Sequence, residues 1–356
     1  MKRLRRLKKK LIDKETIPYL ITSIPNIRYL TGFEGTYASM VLTEHSYYFV
    51  SDGRYQEYAR SILPRNVTFI LQNNGLIPAV KEILANENTK ELYLEEHSMP
   101  LGQYFQFKDS LKKIKLKGGG DVVNELRMIK NESEIALLKK AASITDGCFT
   151  HILGIIKPGI LEWDISVEIE HYYRTHGATS SSFESIVASG SGSSRPHYKT
   201  GNLKKLEPGD MILIDMGCTY KGYNSDLTRT VFLNSITSEF RHIYNIVLRA
   251  QETAINSIRP GITTGSLDTK ARNVINDEGY GEFFSHSLGH GVGLEVHELP
   301  AVKPGGETRL KKNTVITIEP GIYMPGKGGV RIEDMVCIGP GGPEIMTGSS
   351  KDIIIL

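Results

Sequence analysis

The sequence predicts two domains of different character, an alternating α/β unit over residues 1–120 and a larger α+β domain over residues 121–356. Three observations lead there. A chain of 356 residues is long for a single core, since domains cluster near about 100–200 residues. Up to Lys117-Gly118-Gly119-Gly120, short β-branched and aromatic segments alternate with amphipathic helical ones. After that glycine run the pattern changes to long helices followed by paired strands.

Each element has a local reason. The start, MKRLRRLKKK, carries Leu4, Leu7 and Leu11 at helical spacing and reads as an amphipathic helix with a solvated basic face. IPYLIT (17–22), MVLTEHSYYFV (40–50), VTFIL (67–71) and ELYLEE (91–96) are strand-like, and GRYQEYARSIL (53–63) and LIPAVKEILAN (76–86) are helical. In the second domain, residues 131–156 form a long amphipathic helix with Asn131 as its cap, stopped by Lys157-Pro158-Gly159. A second helix over 161–177 ends on Gly177. Hairpin-like strands follow, then helices over 238–258 and 266–278, then more strands. Pro158-Gly159 and Pro260-Gly261 each follow a long helix, which hints at a duplicated half.

Composition narrows the function classes. At 40% hydrophobic and 23% charged residues the chain is an ordinary soluble protein. Much of the net charge of +3 lies in the first ten residues, so no nucleic-acid partner is expected. No apolar stretch approaches the roughly 20 residues that span a bilayer, and no apolar core or cleavage site follows the basic start. Cys148, Cys218 and Cys337 form neither a disulfide framework nor paired ligand spacing. A cytoplasmic protein without membrane contact is expected.

The chemistry lies in the last third. Asp215 in IDMG, Asp226 in NSDLTRT, His290 in HSLGHGVG, Glu319 in TIEPGIY and Glu333 in VRIED are expected to converge as a two-metal site. Four carboxylates and one imidazole suit two divalent cations such as Mn, Co or Zn. MILIDMG and NSDLTRTVFL flank YKGY, and a two-residue turn at Lys221-Gly222 places Asp226 opposite Gly217 with Asp215 two residues along on the same face. An odd-length loop would separate the two faces. Asp215 also ends the apolar run MILI, where an unpaired carboxylate is costly. His286, His290 and His297 fall within twelve residues among Gly289, Gly291 and Gly293, which suggests backbone crowded against something; no HExxH is present. Glu319 and Glu333 end or follow apolar strand segments and need a cation or several donors. An ion pair from Arg331 to Glu319 or Asp334 is the competing explanation. His197 sits in a Gly/Ser loop of the kind that forms pocket rims, and Phe183 is either a pocket wall or a core residue.

Together these residues resemble the pita-bread metallopeptidase family of Xaa-Pro aminopeptidases, prolidases and methionine aminopeptidases. The matching segments are ELRMIKNESEI, SFESIVASG, RPHY, LIDMGCTYKGYNSDLTRT, HSLGHGVGLEVHE, TIEPGIY and GGVRIED, and NIRYLTGFEG (26–35) is similar to the creatinase-type N-terminal domain. The resemblance implies a pseudo-twofold α+β sandwich with helices outside a curved antiparallel sheet. It implies that Asp215 and Asp226 bind one metal, with Asp226 bridging. His290 would complete the other site, and Glu319 and Glu333 would supply the rest, with Glu333 bridging. His197 and His297 match the family's substrate-side histidines.

The implied reaction is attack on a peptide carbonyl by a metal-activated water, with Glu319 shuttling the proton and His197 and His297 stabilising the oxyanion. The N-terminal domain favours peptides with proline at the second position over methionine aminopeptidase substrates. Family members specialised for dipeptides often carry an arginine after the HExP segment; here Ala301 follows His297-Glu298-Leu299-Pro300. The expectation is therefore an Xaa-Pro aminopeptidase acting on longer peptides, with a prolidase as the alternative. Creatinase works without metal, and a non-catalytic pita-bread binding module would have lost these ligands. A homodimer is expected.

Overall fold

The computed structural model describes residues 2–356, which divide into two compact units, Met1–Arg127 and Met128–Leu356. The first unit runs α1 (Lys2–Asp13), β1 (Tyr19–Ile21), α2 (Ile24–Thr31), β2 (Ser39–Leu42), β3 (Tyr47–Ser51), α3 (Gln56–Ile62), β4 (Val67–Leu71), α4 (Leu76–Asn86), β5 (Glu91–Leu94), α5 (Leu101–Ser110), β6 (Lys115–Gly118) and α6 (Val122–Arg127). Its six strands lie in the order β4-β3-β2-β1-β5-β6. Leu4, Leu7 and Leu11 are fully buried along one stripe of α1, so the basic residues between them face outward as the spacing predicts.

Two boundaries differ from expectation. Residues 40–50 form a hairpin rather than one strand-like stretch: Thr43 N–H donates to Ser46 O at 3.0 Å, and β2 pairs antiparallel with β3. Both arms, residues 40–42 and 47–50, are continuous apolar runs with no period of their own, so the short polar Thr-Glu-His-Ser segment between them did not reveal the reversal. The helix expected from residue 53 begins at Gln56, because Asp52 accepts the Arg54 N–H and side chain and holds the preceding residues in a turn.

The second unit opens with α7 (Glu132–Leu153) and α8 (Glu162–Thr175). Asn131 caps α7 through a reciprocal capping box with Glu134. Then come β7 (Ser180–Ser181), β8 (Ile186–Ser189), β9 (Met211–Met216), β10 (Cys218–Tyr220), β11 (Tyr223–Asn224) and β12 (Leu227–Phe232). The helices α9 (Ser238–Ser257) and α10 (Thr264–Asp277) start on the caps Thr237 and Thr263. The chain continues through β13 (Gly289–Gly291), β14 (Glu298–Val302), β15 (Val315–Ile318), β16 (Gly321–Met324), β17 (Gly328–Arg331), β18 (Asp334–Ile338) and β19 (Pro343–Ile345). One core joins α7 and α8 to β8, β9 and β12, and another joins α9 and α10 to β15–β18. The cysteines are all free and buried. Among the described residues no helix is long and apolar enough to cross a membrane.

Two long hairpins define this unit, and both break at the same functional point. Lys221 and Gly222 have φ of 47° and 82°, the two positive values that a two-residue type I′ turn requires. The register pairing Tyr220 with Tyr223 is resumed by Met216 with Leu227, so the strands are interrupted at Gly217 and Ser225-Asp226 without slipping. A Cβ on Gly217 would lie 2.0 Å from Ser225 O, so no other residue fits at this break. The second hairpin pairs Gly321 with Arg331 and resumes with Ile318 and Asp334, leaving Glu319-Pro320 and Ile332-Glu333 at its break.

Behind the second break, Arg229 is 1% exposed. Its guanidinium donates to the carbonyls of Thr228, Glu333, Ser349 and Ser350 and pairs with Asp334 at 2.7 Å.

The burial of α1 sets a stability expectation. Leu7→Ala should lower the free energy of unfolding by roughly 2–5 kcal/mol, whereas the exposed Arg6→Ala should change it by less than about 0.5 kcal/mol. Urea denaturation of the two variants checks this, and equal effects would show that the leucine stripe does not anchor α1.

Candidate metal centre

The hairpin breaks and the β13 segment bring all five expected acidic and histidine side chains together. Ligand atoms of Asp226, His290 and Glu333 lie within 4.8 Å of one another. His290 Nε2 stands 3.6 Å from Asp226 Oδ2 and 3.3 Å from Glu319 Oε1. Its Nδ1 faces Gly291 O at 3.1 Å, so the carbonyl orients the ring and leaves Nε2 toward the carboxylates. The crowding expected around the glycines is backbone on backbone. A Cβ on Gly289 would lie 2.1 Å from Thr317 O, and one on Gly291 would lie 2.2 Å from Leu299 O.

Asp215 sits directly across from Thr228. Its Oδ2 accepts from Arg331 at 2.5 Å. Arg331 therefore pairs with Asp215, while Asp334 takes Arg229; the alternative of an Arg331 pair with Glu319 or Asp334 does not hold. Thr228 Oγ1 donates to Glu333 Oε2 at 2.7 Å, and Thr317 Oγ1 donates to Glu319 Oε1 at 3.0 Å.

These donors do not satisfy the acids. Asp215 Oδ1 and Glu333 Oε1 are buried without a hydrogen-bond partner, an arrangement that is costly for carboxylates. Burial pushes Asp226 and Glu333 well above the ordinary carboxylate range, and the neighbouring acids push the same way. Asp215 is raised by burial despite Arg331. Burial also opposes ionisation of Glu319, but its hydrogen bond and charge interaction with His290 prevail and hold it at about 2. His290 is raised to about 9, burial opposing and Glu319 prevailing. Excess buried negative charge, two orphaned oxygens and an aimed imidazole fit divalent cations, and the mixed O/N donor set fits the Mn, Co and Zn class.

Around the acids stands a second set of groups. Tyr323 O–H lies 2.9 Å from His286 Nε2, and Arg331 donates to the same oxygen at 2.8 Å. The ring of His297 lies 4.2 Å from that of His290, and burial followed by the His290 charge lowers the His297 pKa. His197 is exposed on its loop, near enough for its charge to depress both His286 and His297. Phe183 is half-buried and belongs to neither core. The sequence reading missed Thr228, Thr317 and Tyr323 as site residues. The signal was present, since strand alternation that aims Glu319 inward aims Thr317 and Tyr323 the same way.

The geometry agrees with comparisons to known proteins. The profile of the Creatinase/Prolidase N-terminal domain matches residues 3–129, and that of Metallopeptidase family M24 matches residues 136–340. An Xaa-Pro dipeptidase from Bacillus anthracis superposes with a TM-score of 0.96 at 38% identity, over 100% of this chain and 99% of that one. An X-Pro aminopeptidase from Thermotoga maritima gives a TM-score of 0.85 at 36% identity, over 95% and 97%. A Pyrococcus horikoshii Xaa-Pro dipeptidase is 38% identical over 96% of both chains.

Two expectations follow from the electrostatics. Mn²⁺, Co²⁺ or Zn²⁺ added to chelator-stripped protein at about 100 times its dissociation constant should stabilise it by about 2.7 kcal/mol. Glu333→Gln should remove most of that gain; a Tm that ignores all three ions would count against the centre. His286 is held below 6.5 chiefly by burial, so the unfolded chain takes up that proton first, and stability is lost as pH falls below about 6.5. His286→Gln should flatten that limb of the denaturation profile relative to wild type, and parallel profiles would remove His286 as its source.

The expected fold is correct: the creatinase-type N-terminal domain precedes a pita-bread catalytic unit, and the chain belongs to metallopeptidase family M24.

Proposed function

We propose that this metallopeptidase hydrolyses the bond between an N-terminal residue and a following proline, with Xaa-Pro dipeptides as its preferred substrates. The observation that carries the hydrolytic reading is the convergence of Asp215, Asp226, His290, Glu319 and Glu333 with two orphaned carboxylate oxygens. These five would hold two divalent cations. Bound there, the cations supply a water of lowered pKa and a polarised scissile carbonyl. The Xaa-Pro bond is supported by the printed activities of the relatives, and the dipeptide preference by the prolidases among them.

The chain's own residues supply positioning and proton transfer. Glu319 is fixed through Oε1 by Thr317, which leaves its other oxygen to take the proton of the attacking water and pass it to the leaving nitrogen. His297 has its proton affinity lowered chiefly by burial. With the exposed His197 it holds the carbonyl as negative charge develops. Arg331 fixes Asp215 and, through Tyr323, His286. Homodimerisation and cytoplasmic residence belong to the same proposal.

One observation favours the longer-peptide reading. Ala301 stands opposite His290 on β14 and offers no cation to a dipeptide's carboxylate. Against this, Arg195 lies two residues from His197, with its guanidinium 4.6 Å over the Tyr198 ring, and provides a positive group on the His197 side.

Hydrolysis of Ala-Pro, Ala-Pro-Ala, Met-Ala-Ser and creatine by metal-reconstituted protein decides between the readings. Ala-Pro should be cleaved at least about 10-fold more efficiently than Ala-Pro-Ala, and Glu319→Gln should lower kcat by about 10²–10⁴. Preferential release of the first residue of Ala-Pro-Ala would reverse the choice in favour of an aminopeptidase. Cleavage of Met-Ala-Ser alone would place the chain with methionine aminopeptidases.

A further inference from the structure

Glu162 is the first residue of α8, is 0% exposed, and lies outside the metal-ligand cluster. Its carboxylate gathers four donors. Oε1 accepts the N–H and the O–H of Ser189, each at 2.7 Å. Oε2 accepts Tyr198 O–H at 2.7 Å and Gly201 N–H at 3.4 Å. Ser189 ends β8, while Tyr198 and Gly201 lie beyond residues 190–197. One buried group therefore closes the loop that ends on His197.

A carboxylate is a costly way to close a loop. A side-chain amide has one acceptor oxygen and turns a donor toward the remaining partners. A buried anion is well suited to drawing four separate donors to one point, which specifies a single loop conformation. Other tethers hold the rest of the loop: Ser193 Oγ accepts Gly329 N–H at 2.9 Å, and Thr200 Oγ1 bridges Val187 N and Ser185 O. Next to His197 itself, Arg331 reaches Pro196 O at 3.5 Å on one side, and Tyr198 ties to Glu162 on the other.

We propose that Glu162, acting through Tyr198, is a positioning residue that fixes the loop bearing His197 against the metal centre. This rests on the role given to His197 above, so the experiment separates the two. Hydrolysis of Ala-Pro by metal-loaded protein is measured for His197→Ala, Tyr198→Phe, Glu162→Gln and the double variant Tyr198→Phe/His197→Ala, with metal content and Tm recorded for each. Phenylalanine keeps the ring beneath Arg195 and removes only the hydroxyl.

His197→Ala should lower kcat/KM by about 10²-fold or more. Tyr198→Phe should lower kcat about 10-fold with little change in KM, metal content or Tm. In the His197→Ala background, Tyr198→Phe should cost nothing further, since both act on one group. Glu162→Gln should follow Tyr198→Phe, and if it fails to fold, Tyr198→Phe carries the test alone. An equal loss from Tyr198→Phe in both backgrounds, or none in either, would overturn the inference. A His197→Ala variant with full activity would overturn the catalytic reading of His197 and this inference together, whereas a large His197→Ala effect beside a silent Tyr198→Phe would overturn this inference alone.

Discussion

Four carboxylates share one buried volume with the His290 imidazole and the Arg331 guanidinium, and the rest of the unit serves to keep them there. Mutual repulsion and desolvation both oppose the arrangement, as the raised proton affinities of Asp226 and Glu333 record. Regular strand pairing alone does not aim so many acids at one point. Breaking both long hairpins at matched positions does, because Asp226, Glu319 and Glu333 lie where the ladder is interrupted and its register is kept. Thr228, Thr317 and Arg331 hold individual oxygens, and the two helix pairs cover the outer faces. Folding energy from two ordinary apolar cores thereby supports a polar centre that could not support itself.

Much of this could be read from the residues. The Lys221-Gly222 turn determined the register that brings Asp215 and Asp226 together, and the structure has that turn and that register. The Asn131 cap marked the start of α7. Other features were harder to read because they depend on partners far away in sequence. Arg331 has two acids within three residues of it, yet pairs with Asp215, 116 positions away. Local proximity suggested a salt bridge that tertiary packing did not select. Likewise nothing in the sequence distinguishes Glu162 from other first-turn acids on helices, because its burial depends on Ser189 and Tyr198 from β8 and the His197 loop.

The position after the HExP segment shows how local and global signals compare. Ala301 removes one expected charge, yet the chain as a whole superposes on a prolidase with a TM-score of 0.96. A single missing cation changes one contact to substrate, while pocket shape depends on loops contributed by several segments. Arg195, two residues from His197 and stacked on Tyr198, is a cation supplied from a different segment.

Arg229 ties the acid-bearing strands to a segment that contributes no ligand. Its guanidinium joins the backbone behind Glu333 to the carbonyls of Ser349 and Ser350, and Leu356 N–H donates to Phe232 O at the end of the strand that carries Thr228. Residues 349–356 thus form part of the wall behind the ligands. Displacing this segment would take two carbonyl acceptors from the Arg229 guanidinium and loosen the backbone that presents Glu333, so the geometry of the acids depends on residues none of which is itself a ligand.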